Sequence, residues 1–282
     1  MTAFGLGELP GTDFAQAADV VLSESPLPHI PQLPERGIGH DPVGRTAALL
    51  DIPVDRGPRG WRVAARHRAA RDHMARDLDA LEAAWARPPE RVKVQLVGPW
   101  TLAAEIEMAN GHRMITDAGA LRDVTEALLE AVGRHREDVG KRFGCETVLQ
   151  LDELRLGDVM AGALKGTTDY ETIPAVPEPE ERLAAFGPHL LHAPVLCDVP
   201  WATVDLAAVT TAGAKDRLAR LMEKGTRLAV APVEPAQLWR LFDELQVDPA
   251  GVELDVWARP AETLPGAARN YAAAREMAEG LR

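Results

Sequence analysis

Short apolar runs alternate along this chain with longer segments that carry an apolar stripe. A run such as VKVQLV at 92–97 is long enough for a buried strand and too short for a buried helix. Between these runs, apolar residues recur at intervals of three and four, the spacing that places side chains on one helix face. The pattern therefore predicts strands that alternate with helices. The predicted strands cover 3–7, 92–97, 147–151, 194–197, 227–233 and 252–257, with a further short strand within 203–209.

Two of the predicted helices have well-marked ends. The segment 64–86 carries apolar residues in a stripe at helical spacing, and the two prolines that follow it end the helix. A second helix begins after Asp117, whose short carboxylate suits an N-cap, and runs to about Arg142. Gly144 ends that helix.

The order of the elements predicts the fold class. Strands joined by helical crossovers form a parallel sheet, and a closed eight-stranded (β/α)8 barrel of the TIM type is the usual solution for a chain of 282 residues. An open doubly wound sheet is the alternative, although the chain has neither GxGxxG nor GxxxxGK[ST] after a strand. We expect one domain over 1–282, with a long Pro- and Gly-rich excursion at about 26–62.

The net charge of the chain argues against nucleic acid as a main partner. The formal net charge is −12, whereas binding to nucleic acid phosphates needs a basic surface. One basic stretch, Arg56–Arg76, is either a solvated helix face or a local site for an anionic ligand. We therefore expect a small-molecule substrate and no nucleic acid.

Two further features bear on the compartment. The chain has no run of 18 apolar residues and no basic, then apolar, N-terminal segment, so we expect no membrane span and no secretory signal. Its two cysteines, Cys145 and Cys197, are too few for a disulfide framework. Together these features predict a reduced, cytoplasmic protein.

Polar residues follow the predicted strands, at the edge of the sheet where α/β enzymes carry their chemistry. Asp152 and Glu153 come directly after the strand 147–151. Such a carboxylate pair can hold an ammonium group, act as a general base or bind a metal. The alternative is structural: Asp152 caps the next helix and Glu153 pairs with a surface arginine.

Other strand ends supply further candidates for substrate binding. A tryptophan and a hydroxyl follow the strand 92–97, and the tryptophan either stacks on a planar ring or packs beneath a loop. The first strand ends near a glycine, an acid and a threonine. The candidates at these two ends are Gly98, Pro99, Trp100 and Thr101, and Gly7, Glu8 and Thr12.

Cys197 is a candidate metal ligand, with His189 and His192 a few residues before it. Zinc is held by cysteine, histidine and acidic side chains that converge on one point. The spacing between His192 and Cys197 is loose, however, and a lone buried cysteine is more often an inert core residue.

Several segments together resemble the cobalamin-independent methionine synthase family, in its catalytic barrel. The resemblance covers nearly the whole chain and is closest to a short, single-barrel branch that lacks the N-terminal half of the full-length enzyme. The segments are LGELPGTD (6–13), LPHIPQLPERG (27–37), RTAALL (45–50), RDLDALEAAW (76–85), VQLVGPWTLAAEIE (94–107), GHR (111–113), VLQLDE (148–153) and DVPW (198–201).

The resemblance implies an activity and a set of residue roles. In the family, a methyl group passes from 5-methyltetrahydrofolate to homocysteine, and a zinc ion lowers the pKa of the homocysteine thiol. Asp152 would hold the ammonium group of homocysteine, and Gly7 would lie in the loop that contacts this substrate. The four residues from Gly98 to Thr101 would lie near the pterin.

The chain departs from the family pattern at the positions of the zinc ligands. Cys197 matches one zinc ligand, but Leu196 stands where the family has histidine, and neither the acid nor the second cysteine has a counterpart. Glu8 replaces a serine, and Leu154 replaces a proline. One thiolate cannot hold a catalytic zinc by itself.

Three hypotheses for function are therefore open. The first is zinc-assisted methyl transfer to a thiol, completed by His192 or Asp198. The second is a zinc-free relative that binds a folate, a small acid or a protein partner without methyl transfer. The third is a decarboxylase of the uroporphyrinogen decarboxylase type, which needs no metal and would bind a carboxylate substrate through Arg62 or Arg66.

Overall fold

The computed structural model describes residues 1–65, 70–168 and 170–281. Strands and helices alternate along most of this length, as the apolar pattern predicts. The strands are β1 (Ala3–Gly5), β2 (Val54–Arg56), β3 (Trp61–Val63), β4 (Arg91–Val97), β5 (Ile106–Glu107), β6 (Glu146–Asp152), β7 (Leu190–His192), β8 (Trp201–Val204), β9 (Arg227–Val230) and β10 (Leu254–Ala258). The helices are α1 (Phe14–Glu24), α2 (Pro42–Ala47), α3 (Ala70–Ala84), α4 (Pro99–Glu105), α5 (Ala118–Phe143), α6 (Leu156–Ala161), α7 (Glu180–Ala184), α8 (Ala212–Glu223), α9 (Pro235–Leu245) and α10 (Leu264–Gly280).

Seven of these strands form one curled, parallel sheet flanked by helices. Their order is β1-β10-β9-β8-β7-β6-β4, and every neighbouring pair is parallel. Because all the strands run the same way, their carboxyl ends meet at one edge of the sheet. Strands β2, β3 and β5 form a separate small sheet within and beside the predicted excursion.

An extended, proline-containing segment, 27–32, bonds to both outer strands of this sheet. The backbone N–H of Leu27 donates to the carbonyl of Ala3 in β1, at 3.2 Å. On its other side, the N–H of Lys93 in β4 donates to the carbonyl of Pro28, at 2.7 Å. The bridge between His29 and Lys93 and the bridge between Gln32 and Glu8, which follows β1, are both parallel. The segment therefore lies between β1 and β4.

Both faces of the sheet are buried. The larger apolar cluster lies between the sheet and the surrounding helices, where Leu81, Leu128 and Leu151 are fully covered. A smaller cluster, with Phe4 and Trp257, fills the concave side. A parallel sheet covered on both faces explains why its strands appear in the sequence as continuous apolar runs.

Local capping sets the ends of several helices where the sequence predicts them. Asp117 accepts a bond from the N–H of Ala120 at the start of α5. Gly144 ends that helix in the left-handed conformation, with φ of 60°. Asp13 caps α1 in the same manner as Asp117. Most of the predicted helix at 64–86 is α3, which is described from Ala70 to Ala84, and 66–69 lie outside the described residues.

One predicted strand is wrong. The run 194–197 is a loop, and the strand of this unit is β7, which ends at His192. The apolar residues Cys197 and Val199 are buried, but they pack into the outer cluster as part of the loop. A short apolar run fits either role, and Pro194 cannot donate a bond to a sheet. The predicted strand within 203–209 is β8, displaced toward the N-terminus.

Two general observations complete the fold. In the part of the chain that the structure describes, no helix combines the length and apolar character that crossing a membrane requires. Cys145 and Cys197 are both free thiols, and Cys197 is the more buried of the two.

Candidate functional site

A cleft opens at the edge where the carboxyl ends of the parallel strands meet. Its empty space is about 660 Å³, including the part open to solvent. The edge of a parallel sheet at which the strands end is the usual place for small-molecule ligands. The lining residues are Leu6, Glu8, Leu9, Gln32, Pro42, Asp152, Leu154, His192, Ala258, Arg259, Pro260, Ala261, Ala267 and Tyr271.

Asp152 lies at the base of this cleft as the last residue of β6. Its side chain is almost fully buried, and Oδ1 accepts a hydrogen bond from Nε2 of Gln150 at 2.6 Å. Burial raises the pKa of Asp152 to about 7, against the lowering effects of that bond and of Lys93. A cation that entered the cleft would favour the ionised carboxylate.

Glu8 supplies a second carboxylate to the same cleft. Partial burial raises its pKa, and the negative charge of Asp41 adds to the effect. Glu8 also raises the pKa of Asp152, so the two acids act on each other electrostatically. The cleft therefore has an acidic side, formed by Glu8 and Asp152, that suits a cationic group.

The chain before Glu8 is fixed by a glycine. Gly7 has φ of 130°, and a Cβ at this position would come within 2.8 Å of the Gln95 side chain. Only glycine adopts this backbone conformation readily and permits so close an approach. Gly7 itself does not line the cleft, but it sets the direction of the backbone that carries Glu8 into it.

Arg259 brings a positive charge to the cleft from the end of β10. Its guanidinium lies 5.9 Å from the centre of the Trp257 ring, and its ion pair with Asp205 is long, at 4.0 Å. The side chain is 45% exposed, which leaves it available to a ligand. Arg259 is not among the residues predicted from the sequence, because the family resemblance points to a cysteine at this strand end.

Glu153 points away from the cleft and caps α4. One carboxylate oxygen accepts from the N–H of Trp100 at 2.9 Å, and the other accepts from the N–H and the hydroxyl of Thr101 at 2.7 and 2.6 Å. The side chain is fully buried, and burial raises its pKa to about 7. A Cβ on Gly98 would lie 2.3 Å from Glu153, which explains the glycine there.

The predicted substrate-binding residues after β4 form the first turn of α4. Trp100 is buried, its indole N–H donates to the carbonyl of Pro179 at 3.1 Å, and the guanidinium of Arg182 lies 5.0 Å from its ring centre. This is the alternative in which the tryptophan packs beneath a loop. Neither Pro99 nor Thr101 lines the cleft, and Thr12 is exposed in the loop before α1.

The two candidate zinc ligands have different surroundings. His192 lines the cleft, and its Nδ1 lies 3.1 Å from the hydroxyl of Thr203. Burial, with the charge of Lys93, lowers the pKa of His192 to about 4. Cys197 is buried in the outer apolar cluster, where burial raises the pKa of its thiol to about 12. A thiol held in its neutral form is a poor metal ligand.

The donor set does not fit a zinc ion. Within the described ranges, no three His, Cys, Asp or Glu side chains are grouped so that they could hold a metal. A catalytic zinc needs three protein ligands as a rule. The described residues therefore do not provide the ligands that a zinc-dependent step would need.

Of the two arginines of the decarboxylase hypothesis, one lies away from the cleft and the other is outside the described residues. Arg62 belongs to the small sheet, and its Nε donates to the carbonyl of Met108 at 3.3 Å. It does not line the cleft. Arg66 lies outside the described residues. The cation that the structure does bring to the cleft is Arg259.

Comparison with known proteins adds no assignment. No model of a protein family matches the chain, and a search of curated proteins found no significant match. The likeness to the methionine synthase family stays a prediction from the sequence.

Proposed function

We propose that the cleft binds a small zwitterion of the α-amino acid class. The observation that carries the proposal is that two carboxylates, Glu8 and Asp152, and one guanidinium, Arg259, line a single cleft. An amino acid carries an ammonium group and a carboxylate, which pair with these charges. The apolar remainder of the lining, such as Leu6, Leu9 and Leu154, suits an apolar side chain.

A closed barrel is the architecture we infer around this cleft. The segment 27–32 bonds to β1 on one side and to β4 on the other, in the parallel direction. Counted as a strand, it would complete a ring of eight with the seven strands of the sheet. The cleft would then lie at the carboxyl-terminal mouth, where barrels of this type bind their substrates.

This proposal corresponds to the zinc-free hypothesis from the sequence. Homocysteine and methionine are amino acids, so the proposed ligand class agrees with the family that the chain resembles. Zinc-assisted methyl transfer needs a zinc ion that stabilises the substrate thiolate. Cys197, which is buried outside the cleft, and His192, which lines it, do not together provide such a zinc site. We propose binding without zinc, and expect the affinity for an amino acid to be unchanged by a chelator.

Charge removal on either side of the cleft tests the proposal. We expect Asp152→Asn and Arg259→Met each to weaken the binding of L-methionine and L-homocysteine by about 10- to 100-fold, because a hydrogen bond to a charged group is worth about 1.5–3 kcal/mol. The measurement is isothermal titration calorimetry of the full chain at neutral pH.

Two exposed residues outside the cleft provide matched controls. Asp198→Asn removes an acid that pairs with Lys224, and Arg240→Met removes an arginine on the surface of α9. Both controls should bind the amino acids as the unchanged protein does. If Asp152→Asn and Arg259→Met bound the amino acids as tightly as the two control variants do, the charges of the cleft would not be what holds the ligand.

A further inference from the structure

A lysine lies inside the curled sheet, directly beneath the cleft. Lys93, in the middle of β4, has no exposed surface. Its Nζ donates to the side-chain oxygen of Gln150 and lies 5.6 Å from the centre of the Phe4 ring. A buried ammonium is costly unless a negative charge or hydrogen bonds compensate it, so the surroundings of Lys93 require an explanation.

Gln150 connects this lysine to the acid of the cleft. Its amide oxygen accepts from Lys93, and its amide nitrogen donates to Oδ1 of Asp152 at 2.6 Å and to the carbonyl of Leu6 at 2.7 Å. Both ends of the amide therefore have fixed partners, and its orientation is determined. The three side chains form a continuous chain from the centre of the sheet to the cleft.

The other titratable groups around this chain do not replace Lys93. Glu8 and Glu153 are negative when ionised, and both raise the pKa of Asp152. His192 and His29 lie near Lys93, but burial and the lysine charge lower the pKa of each, which keeps both neutral at pH 7. The positive charge that opposes the effect of burial on Asp152 is the one on Lys93.

We propose that Lys93 is a positioning residue for the ligand site: acting through Gln150, its buried positive charge favours the ionised form of the Asp152 carboxylate and holds it oriented toward the cleft. The lysine does not touch the ligand, because it has no surface in the cleft. This inference rests on the proposed function for the identity of the ligand. The electrostatic link between the two residues exists without a ligand and can be measured without one.

Carbon-13 NMR titration of the aspartate carboxyl groups measures this link directly. The Asp152 resonance is assigned by its absence from Asp152→Asn. In the unchanged protein we expect it to titrate near pH 7, above the ordinary aspartate value of 3.8. In Lys93→Met we expect the midpoint to rise by about one to three pH units, since a neighbouring positive charge lowers an aspartate pKa by that amount.

A neighbouring residue of the same strand serves as the control. Gln95 is also buried and polar but carries no charge, so Gln95→Met should leave the Asp152 titration in place. An Asp152 midpoint in Lys93→Met equal to that of the unchanged protein would overturn the proposal.

A measurement on the unmutated chain covers the case in which Lys93→Met does not fold. Burial lowers the pKa of Lys93, while the charge of Asp152 opposes that change. The side-chain nitrogen-15 resonance of Lys93 should therefore show a protonated amine over the pH range in which the Asp152 carboxyl loses its proton. A Lys93 amine that is neutral throughout the Asp152 titration could not act as its counter-charge and would refute the inference.

Ligand affinity gives a separate measure of the consequence. Below the pH at which the ligand amine loses its proton, the affinity for L-methionine should rise as pH increases through about 7, because Asp152 is then ionised. In Lys93→Met this rise should move to higher pH, with an affinity at pH 7 lower by about tenfold for each unit of the pKa change. Failure of methionine to bind at any pH would count against the proposed function alone, since the NMR titration needs no ligand.

Discussion

Replacing Glu153 with alanine is expected to lower the free energy of unfolding by about 3–5 kcal/mol. The carboxylate accepts bonds from the N–H groups of Trp100 and Thr101 and from the Thr101 hydroxyl. All of these groups are buried, so water cannot replace the lost acceptor. Each buried donor left without a partner costs about 1–3 kcal/mol. Urea denaturation of the full chain measures the change.

Strand β6, which ends one residue before Glu153, offers a control for this substitution. Glu146 begins β6 and is exposed, and its ion pair with Arg91 is 3.6 Å long. Glu146→Ala should cost less than about 1 kcal/mol, as exposed pairs do. If Glu153→Ala proved as stable as Glu146→Ala, the Glu153 carboxylate would not be a structural cap of α4, and a chemical role for it would become the better explanation of its burial.

Asp77→Ala is expected to destabilise the protein by a similar amount, about 3–5 kcal/mol. Asp77 in α3 is buried, and its two oxygens lie 2.5 Å from Nη1 of Arg36 and 2.5 Å from Nη1 of Arg45. Arg45 is only 3% exposed, so removal of the acid leaves a buried, unpaired positive charge. These bonds also anchor the excursion whose Pro42 lines the cleft.

Asp79 on the same helix is the matched control for Asp77. It pairs with Arg142 at 2.7 Å but is 67% exposed, so Asp79→Ala should change the free energy of unfolding by less than about 1 kcal/mol. Urea denaturation of the two variants side by side gives the comparison. A loss in Asp77→Ala no larger than the loss in Asp79→Ala would mean that the buried charges are compensated by other groups.

The apolar runs predicted the edge of the sheet that carries the cleft, and Asp152, predicted from its place after a buried strand, does line that cleft. The sequence pattern treated Asp152 and Glu153 as one pair of candidate catalytic acids. Successive residues of a strand point to opposite sides of the sheet, so only one of the two can enter the cleft. Asp152 enters the cleft, so its neighbour faces α4 and caps it. The same alternation places Trp257 and Arg259 on the same side of the sheet. This spacing could have indicated Arg259 as a candidate cleft residue from the sequence.

Lys93 and the segment 27–32 show where sequence patterns are insufficient. A lysine within an apolar run is usually exposed, and only the pairing of β4 with β6 places Lys93 beside Gln150. The segment 27–32 contains prolines, which cannot donate backbone hydrogen bonds, so it makes only part of a strand ladder and resembles a loop in sequence. Both features depend on contacts between residues distant in the chain.

One experiment tests directly whether the cleft binds an amino acid through both of its charges. The unmutated chain is titrated calorimetrically with L-methionine and with two analogues, one that lacks only the amino group and one that lacks only the carboxylate. Because Asp152 and Arg259 would each lose a partner, we expect methionine to bind and each analogue to bind at least about tenfold more weakly. Analogues that bind as tightly as methionine, or no binding of methionine or homocysteine at all, would contradict the claim.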